Sequence, residues 1–109
     1  MTTSNGIQVI AIEEHYLDPV VDEKVGGKAG GGPHIRERLA DLSDVRLKEM
    51  DAAGIDIQVL SHCPPGAQAF GPEDAAQPAR GINDRLNETV RTQPARFSAF
   101  ATMPTQDPS

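Results

Sequence analysis

Val9-Ile10-Ala11-Ile12-Glu13-Glu14-His15 decides how the rest of the chain is read, because it is a short β-branched apolar run that ends in two carboxylates and an imidazole. Together with Ile7 in front of it, the run predicts a first strand over Ile7 to Glu14. Both faces are apolar before the acidic end, which is the pattern of a parallel strand covered on each side. Side chains alternate along a strand, so Glu13 and His15 are expected on one face and Glu14 on the other. A carboxylate and a neutral imidazole side by side are ligands for a zinc- or manganese-like cation. Two donors do not complete a site, since four are usual and a catalytic ion keeps one position open. On spacing alone the pair reads first as a solvated polar strand end, ahead of a metal site.

Working outward, the next strong signal is Ser43 to Gly54. Ser43 is an N-cap candidate, Leu42 and Leu47 can form a hydrophobic staple, and Gly54 can end the helix. Leu47, Met50 and Ala53 or Gly54 would form the inward stripe. Ile55-Asp56-Ile57-Gln58-Val59-Leu60-Ser61 follows almost without a loop and predicts a second strand, before Pro64 and Pro65 break the pattern. A β-α-β unit of this kind has parallel strands. His62 and Cys63 at the end of strand two then fall near Glu13 and His15, where parallel sheets bind ligands. For His62 a hydrogen-bonded loop histidine is the expectation, and for Cys63 a small buried filler.

Between the first strand and this helix, residues 16 to 41 read as a long glycine-rich loop with Gly26, Gly27, Gly30, Gly31 and Gly32, broken only by a short helical turn around Ile35 to Leu39. Gly27-Lys28 is followed by Ala29, so a phosphate-cradling spacing is absent. His34 in this loop is expected to be solvated. Beyond strand two, Gly71-Pro72-Glu73-Asp74 fits a helix start, with proline at a first helical position and acids in the first turn, and Ala75, Ala79, Ile82, Leu86 and Val90 then repeat at helical spacing. Pro78 and Gly81 predict a kink or a true start near Ala79. Phe97 to Met103 is the expected third strand. The tally is one α/β unit over residues 1–109, β-α-β-α-β.

Composition narrows the function classes. Ten Lys and Arg stand against sixteen Asp and Glu, a net charge of -6, so no basic footprint suggests nucleic acid or an anionic membrane. No apolar run has the length to cross a bilayer. The single Cys63 forms no internal disulfide, and Met1-Thr2-Thr3-Ser4-Asn5-Gly6 lacks the basic start and apolar core of a signal peptide, so the expected compartment is the cytoplasm.

Ile12-Glu13-Glu14-His15-Tyr16, the segment from Leu39 to Ile55 and Val59-Leu60-Ser61 together resemble the amidohydrolase superfamily. Within it they are similar to the branch of γ-resorcylate decarboxylase and aminocarboxymuconate-semialdehyde decarboxylase. Asn83-Asp84, Pro94-Ala95-Arg96-Phe97, Met103-Pro104 and Asp107-Pro108 extend the likeness over nearly the whole chain. The resemblance implies the N-terminal β-α-β-α-β portion of a metal-dependent (β/α)8 TIM barrel, three of eight strands in a fold of ~250 residues. It implies that Glu13 and His15 are ligands of a divalent metal, zinc or manganese, and that further ligands and the proton-handling residues lie beyond Ser109. The implied reaction is non-oxidative loss of carbon dioxide from a hydroxybenzoate-like acid, by a homo-oligomer when complete. An amidohydrolase-type hydrolase is the alternative within the enzyme class, and a non-catalytic fragment or interaction module is the alternative outside it.

Overall fold

Three short strands, each followed or preceded by helix, form one parallel sheet. The computed structural model describes residues 6–28 and 32–106. Strand β1 spans Ile10–Tyr16, β2 Ile57–His62 and β3 Phe97–Ala99, hydrogen-bonded in the order β1-β2-β3. Both pairings are parallel, as the β-α-β reading requires. All three carboxyl ends therefore lie along one rim of the sheet. Helices α1 (Pro19–Lys24), α2 (Pro33–Ala40) and α3 (Asp44–Ala53) connect β1 to β2. A 3-10 turn (Gly66–Ala69) and α4 (Ala76–Thr92) connect β2 to β3.

Two of these helices correct the expectation of a long glycine-rich loop over residues 16–41. Asp18 caps α1 by accepting from the Val20 N–H, and Pro19 occupies its first position, where a missing N–H costs nothing. Pro33 starts α2 in the same way. The expected helical turn at Ile35 to Leu39 is the body of α2, whereas Gly30, Gly31 and Ala29 lie outside the described residues, as do 1–5 and Asp107-Pro108.

Helix α3 ends where expected, on Gly54 in the left-handed conformation at φ 74°, a geometry glycine adopts without a Cβ clash. Its start differs in chemistry: Ser43 makes no side-chain cap, and Asp41 Oδ1 accepts from the Ser43 and Arg46 N–H groups instead. Helix α4 begins at Ala76, later than the start expected near Gly71-Pro72-Glu73-Asp74 and earlier than the alternative start near Ala79, and takes Pro78 within its first turn, where no intrahelical N–H bond is lost. Strand β3 is shorter than expected and stops at Ala99.

Burial is one-sided. Tyr16, Met50, Leu60, Leu86 and Phe97 form one core cluster, between the sheet and helices α3 and α4. Leu17, Val21, Cys63, Ala67, Ala79 and Ile82 form a second, at the rim where the strands end. The opposite side is open: Ile10 is 52% exposed, Ile12 67%, Phe100 66% and Met103 62%. No helix among the described residues is long and apolar enough to cross a membrane.

Candidate metal centre at the end of the first strand

Strand β1 does not alternate regularly. Its pairing runs Ile10 with Ile57 and Ala11 with Gln58, then resumes at Glu14 with Leu60, so Ile12 and Glu13 together oppose Val59. This is a β-bulge, one extra residue that bends the strand and re-aims the side chains beyond it. Glu13 carries the distortion at φ 60°, the one non-glycine residue with positive φ among those described. The simple alternation expected for Glu13, Glu14 and His15 is therefore corrected. All three line a cleft of about 530 Å³ at the outer edge of β1, closed on the far side by Arg38, Val45 and Glu49. Glu13 and His15 are exposed, and among the described residues their side chains have no hydrogen-bond or ion-pair partner. As a donor set they suit a hard or borderline divalent ion. Among the described residues there is no group of three or more His, Cys, Asp or Glu placed to hold one.

The backbone on either side of His15 is fixed by two residues from other elements. Arg46, on α3, is 8% exposed. Its Nη2 donates to the carbonyls of His15 (3.1 Å), Arg38 (3.1 Å) and Leu39 (3.3 Å), its Nε to Asp41 O (2.7 Å), and its Nη1 to Gln58 Oε1 (3.2 Å). Burial pushes the guanidinium below its usual range, opposed by the nearby carboxylates of Glu14, Asp41 and Glu49. Neighbouring carbonyls on a strand face opposite edges. The Tyr16 carbonyl accepts from Cys63 N–H on the β2 side, so that of His15 faces the outer edge, where Arg46 meets it.

Three residues on, the Asp18 N–H donates to His62 Nε2 at 2.8 Å, while His62 Nδ1 lies 2.6 Å from the Cys63 carbonyl. A carbonyl only accepts, so Nδ1 carries the proton and Nε2 is the acceptor; the imidazole is neutral with both nitrogens in use. Burial pushes it below its ordinary range, and the ring meets Tyr16 edge-on at 4.8 Å. The Asp18 carboxylate, 2% exposed, is held in a fork by Arg85 Nε (2.7 Å) and Nη2 (2.8 Å). That carboxylate draws the guanidinium to a higher pKa. Beside them the Tyr16 hydroxyl is buried without a hydrogen-bond partner among the described residues, and desolvation pushes its phenol up.

On the other flank, Asn83 of α4 clamps the segment after β3, its Nδ2 donating to Thr102 O (3.0 Å) and its Oδ1 accepting from Thr102 N–H (2.9 Å). Thr102 Oγ1 in turn accepts from Ala67 N–H at 3.1 Å, and Gln68 bonds Thr105. A second cleft of about 320 Å³ lies here, between Ser61, Pro65, Phe100 and Met103.

The pairing of Tyr16 with His62 sets the ends of β1 and β2 side by side, as the parallel reading anticipates. His62 is a hydrogen-bonded rim histidine, Cys63 is buried with its thiol pushed up by desolvation, and His34 is exposed on α2. Sequence reasoning missed Arg46, Asp18 and Arg85. For Asp18 a signal existed in Asp18-Pro19, an N-cap followed by the first-turn proline. Arg46 sits between Val45 and Leu47 on an amphipathic helix, and nothing local distinguishes it from a solvated arginine.

No protein-family model matches the chain. The chain is 40% identical over 105 residues to γ-resorcylate decarboxylase of Polaromonas sp. (strain JS666 / ATCC BAA-500), covering 91% of this chain and 31% of that protein. Among solved structures it superposes on a dihydroxybenzoic acid decarboxylase from Polaromonas sp. JS666 with bound manganese and the inhibitor 2-nitroresorcinol. There the TM-score is 0.78 at 38% identity, over 93% of this chain and 31% of the other. It also superposes on 5-carboxyvanillate decarboxylase LigW from Sphingomonas paucimobilis, with a TM-score of 0.81 at 34% identity over 93% and 36%. The chain spans about a third of the length of the curated relatives it matches. The sheet and its helices are the N-terminal α/β portion of the TIM-barrel fold of these decarboxylases. Over nearly its whole length, the chain is similar to about a third of the length of the γ-resorcylate decarboxylases and of related aromatic-acid decarboxylases.

Proposed function

We propose that this chain supplies the first part of a metal-dependent decarboxylase for a hydroxybenzoate-like acid, with Glu13 and His15 as two of the ligands of a divalent ion, manganese or zinc. The observation that carries the reading is an exposed Glu and His, without partners among the described residues, at the carboxyl end of a parallel strand, in a chain 40% identical over 105 residues to a γ-resorcylate decarboxylase. The bond that breaks joins the ring carbon to the carboxyl group; carbon dioxide leaves, and the ring carbon gains a proton. When bound, the ion supplies charge stabilisation and orientation as a Lewis acid. The chain's own contribution is to hold two donors at the rim and to fix the backbone around them through Arg46 and His62. Alone it offers no third ligand among the described residues, so this part by itself is expected to be inactive. The reading carries with it a cytoplasmic homo-oligomer, an expectation resting on composition and resemblance.

The full-length protein should release carbon dioxide from a hydroxylated aromatic carboxylate in preference to hydrolysing a lactone or amide. Its metal content should fall sharply in Glu13→Ala and His15→Ala. Hydrolysis without decarboxylation of any panel member would favour the hydrolase reading, and one metal per subunit retained in both folded variants would remove the ligand assignment.

A further inference from the structure

We infer that Arg46 is the positioning residue for His15: it holds the ligand-bearing end of β1 at the angle a metal requires, without touching the metal itself. The inference rests on the proposed ligand role of His15 and deepens it.

A buried guanidinium is expensive unless its donors are satisfied, and the usual solution is a carboxylate fork. Arg85 and Arg36 take that solution, on Asp18 and Asp22. Arg46 does not; its donors go to four backbone carbonyls and one amide oxygen, and no ion pair is formed with it among the described residues. Neutral acceptors return less than a carboxylate would, so packing alone gives this side chain little reason to be charged. What the arrangement supplies is geometry. One rigid planar group touches the end of α2 at Arg38 and Leu39, the turn at Asp41, β2 at Gln58, and β1 at the His15 carbonyl itself. The planar fork is pre-organised in a way that a lysine ammonium is not.

The need for such a brace is local. The bulge at Ile12 and Glu13 interrupts the ladder two residues before His15, and pairing with β2 resumes at Glu14 and continues through His15 opposite Ser61. The outer edge of β1 has no strand partner among the described residues. His15 thus lies in the short stretch of ladder just past the bulge, on an edge with no strand partner among the described residues, and Arg46 bonds its carbonyl on that edge. Partners that orient metal ligands typically change affinity by about 10–100-fold when removed.

The test uses this chain and manganese ion alone, titrated while paramagnetic broadening of backbone amide signals is followed by NMR, a readout suited to weak binding. In the unmodified chain, broadening should centre on Glu13 and His15. Arg46→Lys should weaken the apparent manganese affinity by about tenfold. Arg96→Lys is the control. Arg96 is another largely buried guanidinium, bonded to the Ile55 and Asp56 carbonyls and to Asp51, at the opposite end of β2, and its replacement should leave the affinity within twofold. A merely structural Arg46 would lower the affinity no more than Arg96→Lys at equal loss of melting temperature, and that result overturns the inference. If Arg46→Lys does not fold, Gln58→Ala loosens the same fork through Nη1 and should weaken binding at least threefold; unchanged affinity there is equally fatal. Broadening that avoids Glu13 and His15 in the unmodified chain would instead refute the ligand assignment, and the positioning role with it.

Discussion

Glu13 offers the sharpest separation of backbone strain from side-chain function. At φ 60° it occupies the left-handed region, which costs a residue with a Cβ roughly 1–2 kcal/mol. Glycine escapes that penalty but loses about 0.5–1 kcal/mol more in chain entropy on folding. Glu13→Ala keeps the Cβ and the strain; Glu13→Gly removes both. The Glu13 side chain is exposed and has no partner among the described residues, so its truncation should by itself change stability by no more than about 0.5 kcal/mol. Glu13→Gly is therefore expected to be more stable than Glu13→Ala by about 0.5–1 kcal/mol. In a domain of this size that is a rise in melting temperature of about 2–8 °C. Both variants should lose manganese binding alike. Urea unfolding of the three proteins at one pH, with metal titration alongside, measures both quantities. A glycine variant no more stable than the alanine variant would refute the strain argument, and would mean that the bulge is relaxed and not held against its own preference.

The remaining expectations concern the rim and the open face. Burial holds the folded-state His62 pKa below its usual value, so the unfolded chain takes up the proton first. Stability contributed by neutral His62 is full above about pH 6.5 and is lost as pH falls below it, with a slope of at most about 1.4 kcal/mol per pH unit. His62→Gln, whose amide oxygen can still accept from Asp18 N–H, should flatten that part of the urea-midpoint profile; an unchanged slope assigns it to another group. Arg85→Ala should destabilise more than Asp18→Ala. The Arg85 side chain is 43% exposed and can turn to water, whereas the Asp18 carboxylate at 2% cannot and would be left as an uncompensated buried charge, a situation worth about 3–5 kcal/mol. Equal or reversed losses in chemical denaturation would contradict this. Because Ile10, Ile12, Phe100 and Met103 are exposed beside an open strand edge, the isolated chain should self-associate, and Ile10→Lys with Ile12→Lys should reduce this in sedimentation velocity. A monodisperse, cooperatively melting parent would favour a self-sufficient interaction module over an enzyme part.

The three strands, α3 and the parallel pairing of the sheet were legible because apolar period and turn chemistry agree there, as at Ile57 to His62 and at Gly54. Candidate ligands Glu13 and His15 were legible for the same reason, being polar residues that end an apolar run. The bulge was not, since one extra residue between Ala11 and Glu14 leaves no mark in composition. Glycine content concealed α1 and α2, although Asp18-Pro19 and Pro33 announce both starts. Arg46 and the contact between Asp18 and Arg85 join residues 31 and 67 positions apart, and only the fold brings such partners together.

The carbonyl that Arg46 occupies has a further effect on assembly. A strand adding along the outer edge of β1 meets a rung at His15 that is already filled by a side chain from the same molecule. Sliding such a strand by one residue would flip every one of its side chains to the wrong face. A filled last rung sets a stop, so the neighbour's register is measured from the ligand end of β1, and one arginine acts as the ruler for a pairing it takes no part in.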